Sequence, residues 1–179
     1  EIFAPDVNQF HVINHLNGKV MNEKRNILVE SARIARGKIK PLSHLNVNNF
    51  DGLILPGGFG AAKNLSDYAF KGDKMTVMSG LKKVLIDAHR AKKPIGALCI
   101  APVIIANIFK NVEVTVGNDV STAFHIIAMG AVHNNKAKSE IAIDKKNKIV
   151  TSPCYMLGTS IKDIAVGAEK TVKAMLKLM

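Results

Sequence analysis

Tryptophan is absent from these 179 residues, cysteine occurs twice, and Phe and Tyr together make up only 5%. Two cysteines exclude a disulfide scaffold and a multi-cysteine zinc module. No apolar run reaches the ~18 residues of a bilayer span, and no basic-then-apolar signal segment opens the chain. Long basic runs are missing too: the longest are the pairs Lys24-Arg25, Lys82-Lys83, Lys92-Lys93 and Lys145-Lys146. The formal charge is nonetheless +11. Residues 1–90 carry 13 basic and 8 acidic groups, and residues 91–179 carry 12 and 6, so the excess is evenly spread. Proteins that bind single strands interleave basic residues with exposed aromatics, whereas the nine Phe and Tyr here are scattered. The charge therefore reads as a solvated, Lys-rich surface, and neither nucleic acid nor a membrane is expected as a partner.

What is present is a 47% apolar chain without repeat, linker or composition break, which reads as one domain. Asn26 to Arg36 has helical apolar spacing, with Gly37 as its C-terminal stop. Asp51 to Leu55 reads as a buried strand ended by Pro56-Gly57-Gly58. Val77 to Ala91 is amphipathic at the helical period. Pro94 to Leu98 is a second buried strand, followed at once by Cys99, and Pro102 suits the first turn of a helix reaching about Phe109. A strand over 112–116 and a helix over 122–129 follow. Residues 141–144 and 149–151 read as a hairpin, and a long amphipathic helix runs from Ser160 to Met179. Strand and helix alternate, so the expected fold is α/β, with a largely parallel sheet covered by helices on both faces.

The most informative stretch is Gly96-Ala97-Leu98-Cys99-Ile100-Ala101-Pro102. A buried strand delivers a thiol to a sharp turn, and a helix leaves immediately, as in a nucleophile elbow. A helix N-terminus favours a thiolate, and its free N–H groups can hold an oxyanion. The alternative is an inert, buried cysteine. A second strand-end loop, Leu55-Pro56-Gly57-Gly58-Phe59-Gly60-Ala61-Ala62-Lys63-Asn64-Leu65-Ser66, lacks both the P-loop ending and the dinucleotide fingerprint. Its glycines permit positive φ and a close backbone approach, so it is read either as a further oxyanion donor or as a plain turn. Cys154, after Pro153, reads as a small buried filler whose place in space the sequence does not fix relative to Cys99. The six histidines (His11, His15, His44, His89, His125 and His133) show no metal-ligand spacing, so no metal site is expected.

Taken together, the two loops resemble those of the DJ-one/PfpI superfamily, whose fold is class I glutamine amidotransferase-like and flavodoxin-like. The resemblance is nearer to the ElbB-type, glyoxalase-like branch. Phe3-Ala4-Pro5-Asp6, Val12-Ile13-Asn14-His15, Arg25-Asn26, Glu30 to Gly37, Lys93-Pro94-Ile95-Gly96 and Asn147 to Pro153 also resemble that branch, so the similarity covers essentially the whole chain. It implies a three-layer sandwich with a mostly parallel sheet, and a single domain over 1–179 whose first strand, glycine-rich turn and acidic helix residue would precede Glu1. It implies Cys99 as nucleophile and the backbone N–H groups of Gly58 and Ile100 as oxyanion hole. The implied chemistry needs no cofactor: a thiolate attacks an α-oxoaldehyde such as glyoxal or methylglyoxal, and a 2-hydroxy acid results. A homodimer is implied as well, with a cytoplasmic place in a bacterium or a mitochondrial one in a eukaryote.

The sequence departs from the superfamily pattern where a base is needed. Ile100 stands where many relatives have His directly after the nucleophile. Val116-Gly117-Asn118-Asp119 occupies the region where others have a His. Asn118 and Asp119 are the nearest substitutes, and His15, within a shared motif, is a candidate pocket residue or a structural hydrogen-bonder. His133 carries the same two readings. Two functions remain open: an enzyme on small reactive carbonyls, or a redox-sensing or small-molecule-binding protein built on a reactive Cys99. An amidotransferase or peptidase needs the Cys–His pair and is disfavoured.

Overall fold

The computed structural model describes residues 1–179. Its contacts group into two units, Glu1–Asn46 and Val47–Met179. No helix is long and apolar enough to cross a membrane.

In the N-terminal unit, β1 (Phe3–Ala4) pairs in parallel with β4 (Lys40–Pro41). A hairpin, β2 (Val12–Asn14) with β3 (Lys19–Met21), is a feature the sequence reading did not anticipate. Its turn is built from asparagine side chains. Asn14 Oδ1 accepts the Leu16 N–H at 2.9 Å and Asn17 Oδ1 accepts the Lys19 N–H at 3.0 Å, the usual way asparagine competes with regular backbone pairing. Helix α1 (Ile27–Ile34) begins at Asn26, whose side chain accepts the Val29 N–H at 3.0 Å. It ends where Gly37, at φ +77°, returns its N–H to the Ala32 carbonyl.

The second unit is built on a four-stranded sheet in the order β5 (Leu53–Leu55), β6 (Ile95–Leu98), β10 (Ile149–Ser152), β9 (Ala142–Asp144). The first three strands run parallel, and β9 closes the edge antiparallel through the expected hairpin. A short parallel pair, β7 (Glu113–Val114) with β8 (Val132–His133), shortens the strand expected over 112–116. The helices are α2 (Gly58–Lys63), α3 (Tyr68–Lys71), α4 (Ser79–Arg90), α5 (Pro102–Ile108), α6 (Val120–Ala128) and α7 (Ile161–Leu178). Helix α4 packs on β6, α5 on β6 and β7, and α7 on β6 and β10. This is the mixed α/β architecture that the strand–helix alternation predicts, and the flavodoxin-like fold that the resemblance implies.

The core follows from which residues are apolar on every side. Val103, Ile104, Ile105 and Ala106 of α5 are wholly buried, as are Ile95 and Ala97 of β6 and Ile149 and Val150 of β10. A helix apolar all round is one that has to be buried, and α5 begins at the proline that suits a first turn. Gly96 is required for α7 to close on the sheet: a Cβ there would stand 2.5 Å from Met175 Sδ. Buried polar groups are paired. Thr151 Oγ1 accepts the Thr115 N–H at 2.9 Å, and Ser152 donates to the Glu140 carbonyl at 3.2 Å.

Asp144 ties the sheet edge to β7. Its carboxylate accepts the Glu113 N–H at 2.9 Å and both the N–H and the side-chain amide of Asn147, at 2.9 and 2.7 Å. Burial raises its pKa, but these hydrogen bonds outweigh burial and hold the carboxyl below its ordinary value. A lowered folded pKa means stability that is present above the unfolded value of about 4 and is lost as pH falls through the folded value. Asp144→Ala is therefore expected to cost about 2 kcal/mol at pH 7, with the deficit shrinking toward pH 2. Urea denaturation at both pH values measures this; an equal deficit at both would contradict the account.

Candidate active site

The site is assembled at the C-terminal ends of parallel strands, where loops converge in an α/β sheet. Strand β6 ends at Leu98, and Cys99 follows in the left-handed region at φ +58°. A side-chain-bearing residue in that conformation is held there at a cost of roughly 1–2 kcal/mol. What holds it is visible. The Cys99 N–H donates to the Ser152 carbonyl of β10 at 2.9 Å, and the chain beyond it winds into α5. Across from it, Gly57 sits at φ +89°. A Cβ on Gly57 would stand 2.4 Å from the Leu98 carbonyl oxygen and 3.0 Å from Cys99 Cβ. The glycine loop thus lies directly against the nucleophile turn, the close approach for which its glycines were singled out. Gly58, at φ +77°, opens α2 straight away, so the loop is a strand-to-helix turn in its own right.

A cavity of about 810 Å³ opens over this contact. Gly57, Gly58, Cys99 and Ile100 line it, with Phe59, Tyr68, Cys154 and Tyr155. Cys99 is partly exposed and Cys154 buried, and both are free thiols. The N–H groups of Gly58 and Ile100 donate to no acceptor in the protein, which leaves them available to a ligand oxygen. The structure therefore brings to one cavity Cys99, Gly58 and Ile100, the residues to which the resemblance gives the roles of nucleophile and oxyanion hole.

It does not bring Asn118 or Asp119 to that cavity. Asn118 lines a different cavity of about 580 Å³ with Glu113, Phe124, His133 and Asn134. Asp119 caps α6, accepting the Thr122 N–H at 2.8 Å. That bond, together with the Thr122 side chain, lowers its pKa. Neither residue stands where a base for Cys99 would act. His15 is exposed in the β2–β3 turn of the N-terminal unit. His133 has a structural role, accepting the Val116 N–H on Nε2 at 3.2 Å, and burial lowers its pKa.

Two lining residues escaped the sequence reading. Tyr68 reaches the cavity from α3, and its hydroxyl pairs with His125 Nδ1 at 3.0 Å. Burial raises the Tyr68 pKa; the Thr122 hydroxyl opposes that and the charge of Asp119 adds to it. Nothing in the local sequence marks this four-residue helix. Cys154 is the other. Burial raises its pKa, the Ser152 hydroxyl opposes this, and the neighbouring Cys99 raises it further. The sequence carries no signal of its place: only the pairing of β10 with β6 shows that Cys154 follows the strand beside that of Cys99.

Gly57→Ala is expected to strain the turn and drive apart the two loops, lowering stability by more than about 1 kcal/mol. It is also expected to slow alkylation of Cys99 by iodoacetamide. Thermal denaturation with mass-resolved labelling measures both; wild-type values would contradict the role given to Gly57.

Comparison with known proteins agrees with this geometry. No family model matches the chain. The ES1 protein homolog, mitochondrial, of Rattus norvegicus is 48% identical over 99% of this chain and 70% of its own length. The human glutamine amidotransferase-like class 1 domain-containing protein 3, mitochondrial, is 47% identical over the same shares. Among solved structures, an isoprenoid biosynthesis protein with amidotransferase-like domain from Ehrlichia chaffeensis is 36% identical, with TM-score 0.90 over 99% of this chain and 82% of that one. A glyoxalase III from Candida albicans, 17% identical, shares the fold, with TM-score 0.54 over 82% of this chain and 68% of that one. The relatives, like the elbow and the glycine loop facing it, place the chain in one group: it belongs to the ES1 family of glutamine amidotransferase-like class 1 domain proteins.

Proposed function

We propose that this chain is a cysteine-dependent, cofactor-free enzyme that converts small α-oxoaldehydes, glyoxal or methylglyoxal, into 2-hydroxy acids. The observation that carries the reading is the Cys99 elbow at φ +58°, opening into a cavity lined by Gly58 and Ile100. The thiolate adds to the aldehyde carbon, and the Gly58 and Ile100 N–H groups receive the oxyanion of the resulting hemithioacetal. The aldehyde hydrogen leaves as a proton and the adjacent carbon gains one, while the hemithioacetal oxygen gives up its proton and the ketone oxygen takes one, which turns the hemithioacetal into the thioester of the 2-hydroxy acid. Water then cleaves the thioester and restores the thiol, so that one oxoaldehyde and one water become one acid. Tyr68 is a cavity residue that can donate a proton: its phenol is protonated at neutral pH, and burial raises its pKa further. In a eukaryotic cell the reading places the protein in the mitochondrion, in line with the names of the mammalian relatives, and it carries a homodimer.

The second reading, a redox-sensing or small-molecule-binding protein, is favoured by one observation: no histidine lines the Cys99 cavity. The same observation counts against amidotransfer, which needs a Cys–His pair. Methylglyoxal consumption and lactate formation separate the two readings. Wild-type protein is expected to turn over, Cys99→Ser to lose activity by at least about 10³-fold, and Tyr68→Phe to lose kcat by about 10²-fold with KM little changed. Turnover that survives Cys99→Ser would sink the enzymatic reading.

A further inference from the structure

The cavity holds two thiols, and the proposed turnover uses one. Strand β10 runs parallel to β6 with Ser152 opposite Leu98, so the two chains leave the sheet side by side. Each then places a cysteine in the left-handed region, Cys99 at φ +58° and Cys154 at φ +46°. A residue that merely fills space has no need of that conformation, which glycine or asparagine adopts at lower cost. Both residues line the same cavity. The Cys99 N–H is bonded to the Ser152 carbonyl, two residues before Cys154, at 2.9 Å. Adjacent strands lie ~4.8 Å apart, and a disulfide spans Cα atoms about 4.4–6.8 Å apart. The spacing of these neighbouring strands thus falls in the range a disulfide spans, with Cys99 one residue and Cys154 two residues past the last paired position. Cys154 Sγ lies 4.0 Å from Ser152 Oγ, and the neighbouring Cys99 is one of the groups that raise the Cys154 pKa, after burial.

We infer that Cys99 and Cys154 form a dithiol–disulfide couple that reduces small hydroperoxides, with the partly exposed Cys99 as the attacking sulfur and the buried Cys154 as the resolving one. In the first step the Cys99 thiolate attacks the peroxide O–O bond. Sulfur takes one oxygen as sulfenic acid and loses two electrons, while the other oxygen leaves as alkoxide or hydroxide and is protonated to alcohol or water. In the second step the Cys154 thiol loses its proton and attacks the sulfenic sulfur. The S–S bond forms, the S–O bond breaks, and the hydroxide leaves with that proton as water. Two thiols and one hydroperoxide thus become one disulfide, one alcohol or water, and one further water. A small-molecule thiol returns the pair by exchange. The inference rests on the proposed function only in taking Cys99 as the accessible nucleophile; it does not require oxoaldehyde turnover.

The test treats the whole chain with a few molar equivalents of hydrogen peroxide, enough for two oxidation steps at one sulfur, blocks remaining thiols, and maps peptides without reduction. The expected product is an intramolecular Cys99–Cys154 bridge, with both free thiols lost together and both recovered with dithiothreitol. Cys154→Ser is expected instead to carry Cys99 on to sulfinic acid, which dithiothreitol does not reverse. Sulfinic Cys99 in wild-type protein with Cys154 still open to alkylation would overturn the inference, as would a bridge between two chains. Should Cys154→Ser not fold, the wild-type map alone decides. Methylglyoxal turnover of the reduced protein is assayed in parallel. A bridge without turnover removes the oxoaldehyde reading and leaves the couple standing; turnover without a bridge does the reverse.

Discussion

The site depends on one short contact, the glycine loop lying against the Cys99 turn. The Leu98 carbonyl and Cys99 Cβ come so close to Gly57 that no side chain fits there. This contact allows Cys99 to leave its strand in a left-handed conformation, and it puts two strand ends, β5 and β6, at one cavity wall. The places of the two proposed oxyanion donors follow from it: Gly58 is the next residue on one loop, and Ile100 the next on the other. The sheet supplies the rest. Strand β10 accepts the Cys99 N–H, and its own end brings Cys154 to the same wall.

The surroundings look organised to keep that contact still. Helix α5, wholly buried over its apolar residues 103–106, anchors the chain just past Cys99. Gly96 lets α7 close on β6 and β10, the two strands that carry the thiols. The polar groups buried beneath, Thr151 and Ser152, each have a partner. Local strain at a reactive residue persists when the structure around it is fixed on every side, and here the fixing elements are the sheet, the glycine loop and one proline-started helix.

Much of this was legible in the sequence, for identifiable reasons. Leu53 to Leu55 and Ile95 to Leu98 are short apolar runs stopped by a glycine pair and by a cysteine, so strand ends were visible as strand ends. Pro102 and Gly37 marked helix boundaries with known backbone preferences. Cys99 could be named because it stands at such a boundary, and Gly58 and Ile100 because the resemblance implies them. The base was not legible. Asn118 and Asp119 were chosen by their distance along the chain from the nucleophile, but the short β7 strand and the α6 cap carry them to other work. Tyr68 lies in a four-residue helix with no periodicity to detect, and its link to His125 spans 57 residues. The hairpin at 12–21 was missed because its turn is stabilised by asparagine side chains rather than by alternating apolar strands. Cys154 was set aside as filler because its flanks carry no activating pattern; only the register of β10 against β6 shows whose neighbour it is.

The account as a whole stands on Cys99 being the atom at which a carbonyl substrate is captured, with its oxygen received by the two backbone N–H groups. A crystal of the reduced protein soaked with methylglyoxal tests this most directly. The expected result is a carbon bonded to Cys99 Sγ, with its oxygen within hydrogen-bonding distance of the Gly58 and Ile100 nitrogens. Adducts confined to surface arginine and lysine side chains, with Cys99 unmodified and the cavity unchanged, would contradict it.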